Sequence, residues 1–325
     1  MSGDATAEDP FLTHRSLLFT VAYEMLGSAA DAEDVLQDSW LRWAGIDHAK
    51  VSDPRAYLVR LVTRQALNRL RTLSRRREDY VGEWLPEPLL TSPDVAEDIA
   101  LAESVSIAML TVLETLAPVQ RAVFVLREVF EMPYGEIAGA VDKPTATVRQ
   151  IARRARERVA ARRPRVRVSR SEQQAVVERF LAAVRTGQVA ALMDVMAPDV
   201  VLVADGGGLA PAARAPVHGA ELVAEALARS NRTVSIIWLN GAPAGRVETD
   251  GQVAAVSLVV EDGRVTRIHA VANPQKLTRL EVPPNSPDRP GDRANAGLSP
   301  TSRSRNQCQG RHERDLTAAP RPLLR

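Results

Sequence analysis

Three prolines and a run of arginines leave the stretch from Leu116 to Arg163 few ways to fold. Pro118, Pro133 and Pro144 each stand where a helix would begin, the position that loses nothing by lacking an N–H. The spacing predicts three short helices, the last two joined by a tight turn. On the last, Val148, Ile151, Ala152, Ala155 and Val159 recur three or four residues apart and share one narrow apolar face. At about 100° per residue, Arg149, Gln150, Arg153, Arg154 and Arg156 fall outside that arc. This is the helix-turn-helix pattern, whose second helix enters the DNA major groove N-terminus first. An ordinary solvated basic helix is the alternative. The one-sidedness argues against it, since Glu157 is the only acid between Arg149 and Arg170.

A chain of 325 residues with 45% hydrophobic content has room for two or three domains, each with a core. The net charge of +2 hides an uneven distribution. Acids outnumber bases from Met1 to Lys50. The sign then reverses through Arg55, Arg60, Arg64, Arg69, Arg71, Arg75, Arg76 and Arg77. Such asymmetry suggests a protein partner on one side and nucleic acid on the other. The single cysteine, Cys308, excludes an intrachain disulfide framework and fits a reducing cytoplasm. No signal peptide is expected from the acidic N-terminus. No membrane span is expected either, because the longest candidate, Val253 to Val260, is strand-sized.

In chain order, Thr13 to Leu26 reads as a helix closed by Gly27. Ser28 to Asp31 resembles a capping box for a helix from Ala29 to Trp43, with Ala32, Val35, Leu36, Trp40 and Trp43 on its inner side. Glu33, Asp34, Gln37, Asp38 and Arg42 lie on the other. After a break from Gly45 to Asp53, Pro54 starts a long helix to about Leu73, with Leu58, Leu61, Val62 and Leu70 inward. Its Arg60, Arg64, Asn68 and Arg71 form a narrow polar stripe of donors suited to phosphates and base edges. Tyr80 to Asp94 holds three prolines among acids and reads as an extended linker with no core of its own, able to lie in a groove meant for nucleic acid. A helix from Ile99 leads into the helix-turn-helix.

Beyond Pro164 the composition changes. Ser171 to Gly187 is amphipathic, with Val176, Val177, Phe180, Leu181 and Val184 inward, and Ala190 to Met196 is a second, shorter helix. Val200 to Ala204 reads as a strand ending in Asp205-Gly-Gly-Gly208. Gly219 to Arg229 reads as helix, followed by strands at Thr233–Asn240, Ala244–Thr249, Gln252–Glu261 and Arg264–Ala272, with hairpin turns at Asp250-Gly251 and Asp262-Gly263. Helices followed by an antiparallel sheet make an α+β domain. From Pro283 onward the composition predicts disorder.

Taken together, the first half resembles a bacterial extracytoplasmic-function sigma factor. Asp31-Ala-Glu-Asp-Val-Leu-Gln-Asp-Ser-Trp40 is similar to the region-two segment that docks on the polymerase clamp helices. Asp53 to Arg71 is similar to the helix facing the −10 element, and Leu116 to Val159 to region four, the −35 reader. The second half resembles a SnoaL-like cone domain, which one group of these factors carries as a C-terminal extension. The motifs for this are Trp84-Leu-Pro-Glu-Pro88, Asp205-Gly-Gly-Gly208 and Asn273-Pro-Gln-Lys-Leu277. Leu209 and Gln275 depart from the usual Lys and Asp of that group.

The resemblance implies two all-α sigma domains at residues 8–75 and 105–165, joined by a linker at 76–104. A SnoaL-like regulatory domain follows at 170–282, and a disordered tail at 283–325. It implies a cytoplasmic, non-enzymatic transcription factor with no cofactor. Its partners would be core RNA polymerase, through the clamp helices of the largest subunit and the flap of the second, and promoter DNA. A small-molecule ligand of the C-terminal domain stays open. Asp34, Gln37 and Asp38 would face polymerase, where complementary charge sets orientation and on-rate. Arg60, Arg64, Asn68 and Arg71 would face the −10 strand. Thr145, Thr147, Arg149, Gln150, Arg153, Arg154 and Arg156 would face the −35 element. Arg149, Gln150 and Arg153 are the base-edge candidates, while Arg154, Arg156 and Arg158 suit phosphates. Trp84, Pro86, Asp205, Gly206, Gly207, Asn273, Pro274, Lys276 and Leu277 would be regulatory. The competing reading is a DNA-binding module fused to a sensing or catalytic domain, with Asp205, His218 and His269 as the available acid–base groups.

Overall fold

The computed structural model describes residues 9–92, 105–162, 168–228 and 232–280, without the side chains of 74–78. The expected start of a helix at Ile99 and the expected disordered tail lie outside the described residues.

The Asp9 carboxylate accepts from the Phe11 N–H at 2.9 Å and opens a short first helix, α1 (Pro10–Thr13), that the sequence reading passed over. Helix α2 (Arg15–Leu26) ends at Gly27, whose φ of 66° is the left-handed cap expected there. Ser28 caps α3 (Ala29–Ala44) by accepting from the Asp31 N–H. The Asp53 carboxylate takes the Ala56 N–H at the start of α4 (Pro54–Glu78). Leu18, Met25, Leu36, Trp43, Leu58 and Val62 are buried where these helices meet. Trp40 is corrected: it is 43% exposed. It lies at the flank of the apolar arc, and the buried Ser39 takes the central position.

Helices α5 (Ile107–Glu114), α6 (Pro118–Phe124), α7 (Tyr134–Val141) and α8 (Thr145–Ala160) follow, with a π-helical turn at Val125–Val129 after α6. Val148, Ala152, Ala155 and Val159 are buried on the face of α8 that periodicity marked, and Ile151 packs at its edge. Both helical sets share one continuous core. Arg121 of α6 is buried at the junction. Its guanidinium donates to both Glu114 oxygens at 2.7 and 2.8 Å and to the Met25 carbonyl at the end of α2 at 2.7 Å.

In the third part, α9 (Arg170–Thr186) and α10 (Val189–Val195) precede β1 (Met196–Asp205), β2 (Val217–His218), α11 (Ala220–Leu227), β3 (Arg232–Leu239), β4 (Ala242–Thr249), β5 (Gln252–Glu261), β6 (Arg264–Val271) and α12 (Pro274–Leu277). One six-stranded sheet results, in the order β2-β1-β6-β5-β4-β3, with β1 and β6 parallel and the other pairs antiparallel. Both expected Asp-Gly turns have positive φ, and Asn240-Gly241 makes a third. Val176, Val177, Phe180, Leu181 and Val184 pack on one face of the sheet. The other face carries a smaller core of Leu239, Ala244, Ala255, Val271 and Leu277, completed by Leu85 from the linker. The linker is therefore corrected: it is extended, but it is buried from Leu85 to Pro88 and belongs to a core.

Arg121→Ala removes the donor shared by the part-buried Glu114 and the Met25 carbonyl. It is expected to lower the free energy of unfolding by about 3 kcal/mol, the low end for a broken buried pair because Glu114 keeps some exposure. Denaturant titration of the full chain measures this.

Candidate functional site

Helix α8 presents its polar side chains as the sequence reading placed them. Thr147, Arg149, Gln150, Arg153, Arg154 and Arg156 are exposed and Thr145 is half-buried. Several arginines already have partners. Arg153 pairs with Glu157 at 3.1 Å, Arg156 with Glu128 at 3.3 Å, and Arg158 donates to the Gln120 side chain at 3.2 Å. Arg149 lies over the Tyr134 ring instead, 5.8 Å from its centroid.

On α4, Arg64, Asn68 and Arg71 are exposed and Arg60 is half-buried. Arg71 donates to the Asn68 side-chain oxygen, Oδ1, at 3.0 Å. Arg64 reaches across to the helix-turn-helix, where its Nη2 donates to the Gly139 carbonyl at 2.8 Å. A side chain at Gly139 would begin 3.8 Å from Arg60 Cδ. The N-terminal part of the donor stripe, Arg60 and Arg64, thus lies against α7. At its N-terminal end, Ile46, Asp47, Lys50, Val51, Ser52, Asp53, Tyr57 and Arg60 line an open cavity of about 440 Å³ formed by the loop before α4.

Asp34, Gln37 and Asp38 are exposed on α3. Trp40 and Leu41 extend this acidic face with apolar surface, Leu41 being 58% exposed. Arg69 of α4 backs the face, donating through Nε to Asp31 at 2.8 Å and through Nη2 to Asp34 at 3.2 Å. The hydrogen bond to Asp31 and the nearby carboxylates hold the Arg69 pKa above its ordinary value.

The regulatory candidates converge on the linker. Asp205, fully buried at the end of β1, accepts from the Tyr80 hydroxyl at 2.6 Å, the Leu85 N–H at 2.8 Å and Lys276 Nζ at 2.6 Å. Lys276 also donates to the Leu85 carbonyl at 2.6 Å and sits 4.0 Å from the Trp84 ring centroid. The buried Asn273 donates to the Tyr80 hydroxyl at 2.8 Å, and Leu277 is buried beside Leu85. Burial, with the hydrogen bond to Asp205, pushes the Tyr80 phenol up. Gly207 has a φ of 57°, and a Cβ there would lie 2.2 Å from Asn273 Nδ2. A side chain at Gly206 would collide with the Ala210 carbonyl at 2.3 Å. Pro86 is buried and Pro274 exposed. Leu209 and Gln275, the two departures, are both exposed.

Three further residues escaped the sequence reading. The Glu87 carboxylate accepts from the Ser28 hydroxyl at 3.1 Å and the N–H groups of Ala29 and Ala30 at 2.8 and 3.2 Å, so a linker acid caps α3. Tyr23 of α2 donates to the Glu87 carbonyl at 2.6 Å. Asn240, buried at the tip of the β3–β4 hairpin with φ 53°, accepts from the Leu89 N–H at 2.9 Å. It donates to Tyr23 Oη at 2.7 Å and to the Val105 carbonyl at 2.8 Å. The Asn-Gly pair is a readable turn signal, but no local pattern announces the contact. Trp84 reaches the end of α2 because Gly27 has no side chain; a Cβ there would meet the Trp84 ring at 2.8 Å.

The three acid–base candidates lie in different settings. Asp205 holds the linker, and His218 is exposed on β2. His269 is buried on β6, its nitrogens without a hydrogen-bond partner among the described residues. No group of metal-ligating side chains occurs among the described residues, and no helix there is long and apolar enough to cross a membrane.

Comparison with known proteins agrees with this arrangement. The sigma-70 region 2 family matches residues 11–76, and the sigma-70 region 4 family matches residues 106–159. The ECF RNA polymerase sigma factor SigJ of Mycobacterium tuberculosis is 40% identical over 215 residues, spanning 64% of this chain and 68% of that protein. The probable ECF sigma factor SigI of the same species is 32% identical over 190 residues, 58% of this chain and 66% of its own length. A crystal structure of SigJ superposes with a TM-score of 0.66 at 32% identity, covering 83% of this chain and 97% of that one. The chain belongs to the extracytoplasmic-function sigma factors, transcription-initiation factors that bind core RNA polymerase and promoter DNA. Its helical sigma regions are followed by a SnoaL-like α+β domain, as in SigJ.

Asp205→Ala removes the acceptor of the Leu85 amide. Hydrogen exchange at Leu85 is expected to accelerate by roughly 10- to 100-fold, the cost of one lost buried acceptor. A second outcome concerns acid. Burial and the nearby Arg267 charge push the His269 pKa down from 6.5 to about 3. Between those values the unfolded chain holds a proton that the folded chain does not. Stability is therefore full above pH 6.5 and falls as pH drops toward 3, by roughly 1.4 kcal/mol per pH unit at most. Melting temperatures across this window are expected to flatten in His269→Leu.

Proposed function

We propose that this sigma factor is held by its own C-terminal domain in an arrangement that must open before promoter DNA is engaged. The carrying observation is the hydrogen bond from Arg64 to the Gly139 carbonyl, which commits one donor of the α4 stripe to the helix-turn-helix. Once open, Arg60, Arg64, Asn68 and Arg71 contact the −10 strand, and the cavity between Ile46 and Arg60 takes an unstacked base. Residues Thr145 to Arg156 of α8 engage the −35 element. Arg149, Gln150 and Arg153 face base edges, and Arg154 and Arg156 face phosphates. Asp34, Gln37 and Asp38, with the apolar surface of Trp40 and Leu41, dock on basic clamp helices of the polymerase, and the region around α8 meets its flap. The factor works in the cytoplasm, where its polymerase is.

The restraint acts through the linker. Asp205, Lys276 and Asn273 grip residues 80–85, Asn240 grips Leu89 and Tyr23, and Glu87 passes the contact to the N-terminus of the polymerase-facing helix. The C-terminal domain is read as a regulator without a catalytic step, since its buried carboxylate is taken up in holding the linker.

In transcription reactions with purified core polymerase and a promoter library, both the full chain and a truncation ending at Ser169 are expected to initiate, the truncation severalfold more. An equal or lower level from the truncation overturns the restraint. No initiation from either chain overturns the promoter-directed role.

A further inference from the structure

Tyr134 opens the first helix of the helix-turn-helix, and two guanidinium groups are gathered at its ring. Arg127 lies 4.8 Å from the ring centroid and Arg149 lies 5.8 Å from it. Arg127 is anchored from behind, because its Nη1 donates to the Met132 carbonyl at 3.0 Å and the Glu131 carbonyl at 3.3 Å. Those carbonyls belong to the turn before α7, where Glu131 has a φ of 52°. Tyr134 is half-buried against the shared core. The ring is therefore fixed by the domain, and Arg149 extends over a fixed surface.

The manner of holding matters. Arg153 and Arg156 are held by carboxylates, at 3.1 and 3.3 Å. A guanidinium paired with a carboxylate has donors and charge already committed, and part of that must be given up before it meets another acceptor. A guanidinium over an aromatic ring is attracted through its face, and its in-plane N–H donors remain available at the edge. Among the described residues, Arg149 is the arginine of α8 that lies over a ring. It also stands in the N-terminal half of the helix, the end that enters the groove.

We infer that Tyr134 is a positioning residue of the −35 reader, acting through Arg149 by fixing the direction of its side chain while leaving its donors unengaged. This rests on the reading of α8 as the −35-facing helix. A long side chain that is already directed loses less freedom when it binds. The ring's effect is then expected in DNA affinity more than in folding.

The experiment uses full-length chains assembled with core RNA polymerase and a promoter library randomised across the −35 element, sequenced before and after selection. The selected duplex then serves for affinity. Tyr134→Leu is expected to weaken binding about two- to fivefold, the worth of an exposed cation–π contact. The same change in an Arg149→Ala background is expected to cost nothing further. Tyr134→Phe, which keeps the ring, is expected to restore wild-type affinity and base preference.

An equal loss from Tyr134→Leu with and without Arg149 overturns the inference, because the residue then acts through the fold or by its own contact. So does an Arg149→Ala variant that binds like wild type. If the two changes are coupled but Arg149→Ala leaves the base preference untouched, Arg149 holds a phosphate: the positioning role stands and the base-reading assignment falls. Selection of no sequence at all overturns both.

Discussion

A carboxyl group with no access to water has to find all its partners inside the protein, and Asp205 finds two of its three in a linker more than a hundred residues earlier in the chain. The Tyr80 hydroxyl, the Leu85 amide and the Lys276 ammonium converge on two oxygens. Losing any one of them leaves buried polarity unmatched, which costs more than the bond itself contributes. The linker cannot leave this groove one residue at a time. Leu85 is seated in the same small core as Val271 and Leu277, so polar and apolar terms are released together.

From that anchor the constraint spreads along the chain. Two and four residues past Leu85 the chain is fixed again: Glu87 caps α3, Leu89 pairs with Asn240, and Tyr23 joins the two by donating to the Glu87 carbonyl and accepting from Asn240. Burial pushes the Tyr23 phenol up, keeping it a neutral donor. Helix α3, the end of α2 and the β3–β4 hairpin thus share one hydrogen-bonded seam. The buried Arg121 closes the other side of α2 by donating to the Met25 carbonyl. Helices that read in sequence as two domains consequently pack around a single core.

What local pattern could disclose, it did. The buried face of α8, the cap at Gly27, the Asp-Gly hairpins and the inward residues of α9 all follow from periods and turn chemistry acting within a few residues. The motif residues Asp205, Asn273 and Lys276 were recognisable by resemblance, although nothing local said what they touched. Burial of the linker was illegible because prolines separate Leu85 from Leu89 and Leu90, so no period forms, and because its partners are distant in sequence. Asn240 and Glu87 escaped for the same reason: each looks like an ordinary turn residue or acid until the fold brings another element's backbone to it. Trp40 was misplaced by a rule that sorts residues by polarity and cannot see that Ser39 lies nearer the centre of the buried arc.

The linker joins the two surfaces that hold it in one polypeptide, so their encounter has a local concentration set by tether length and independent of how much protein a cell makes. A restraint supplied by a second protein can be relieved by diluting, degrading or titrating that protein. In the restraint proposed above, stoichiometry would be fixed at one to one. Relief would then come from weakening the contacts themselves or from a competitor for the same surfaces, which a polymerase docked on α3 as proposed would be. The threshold for activity would then be a property of the chain and its polymerase.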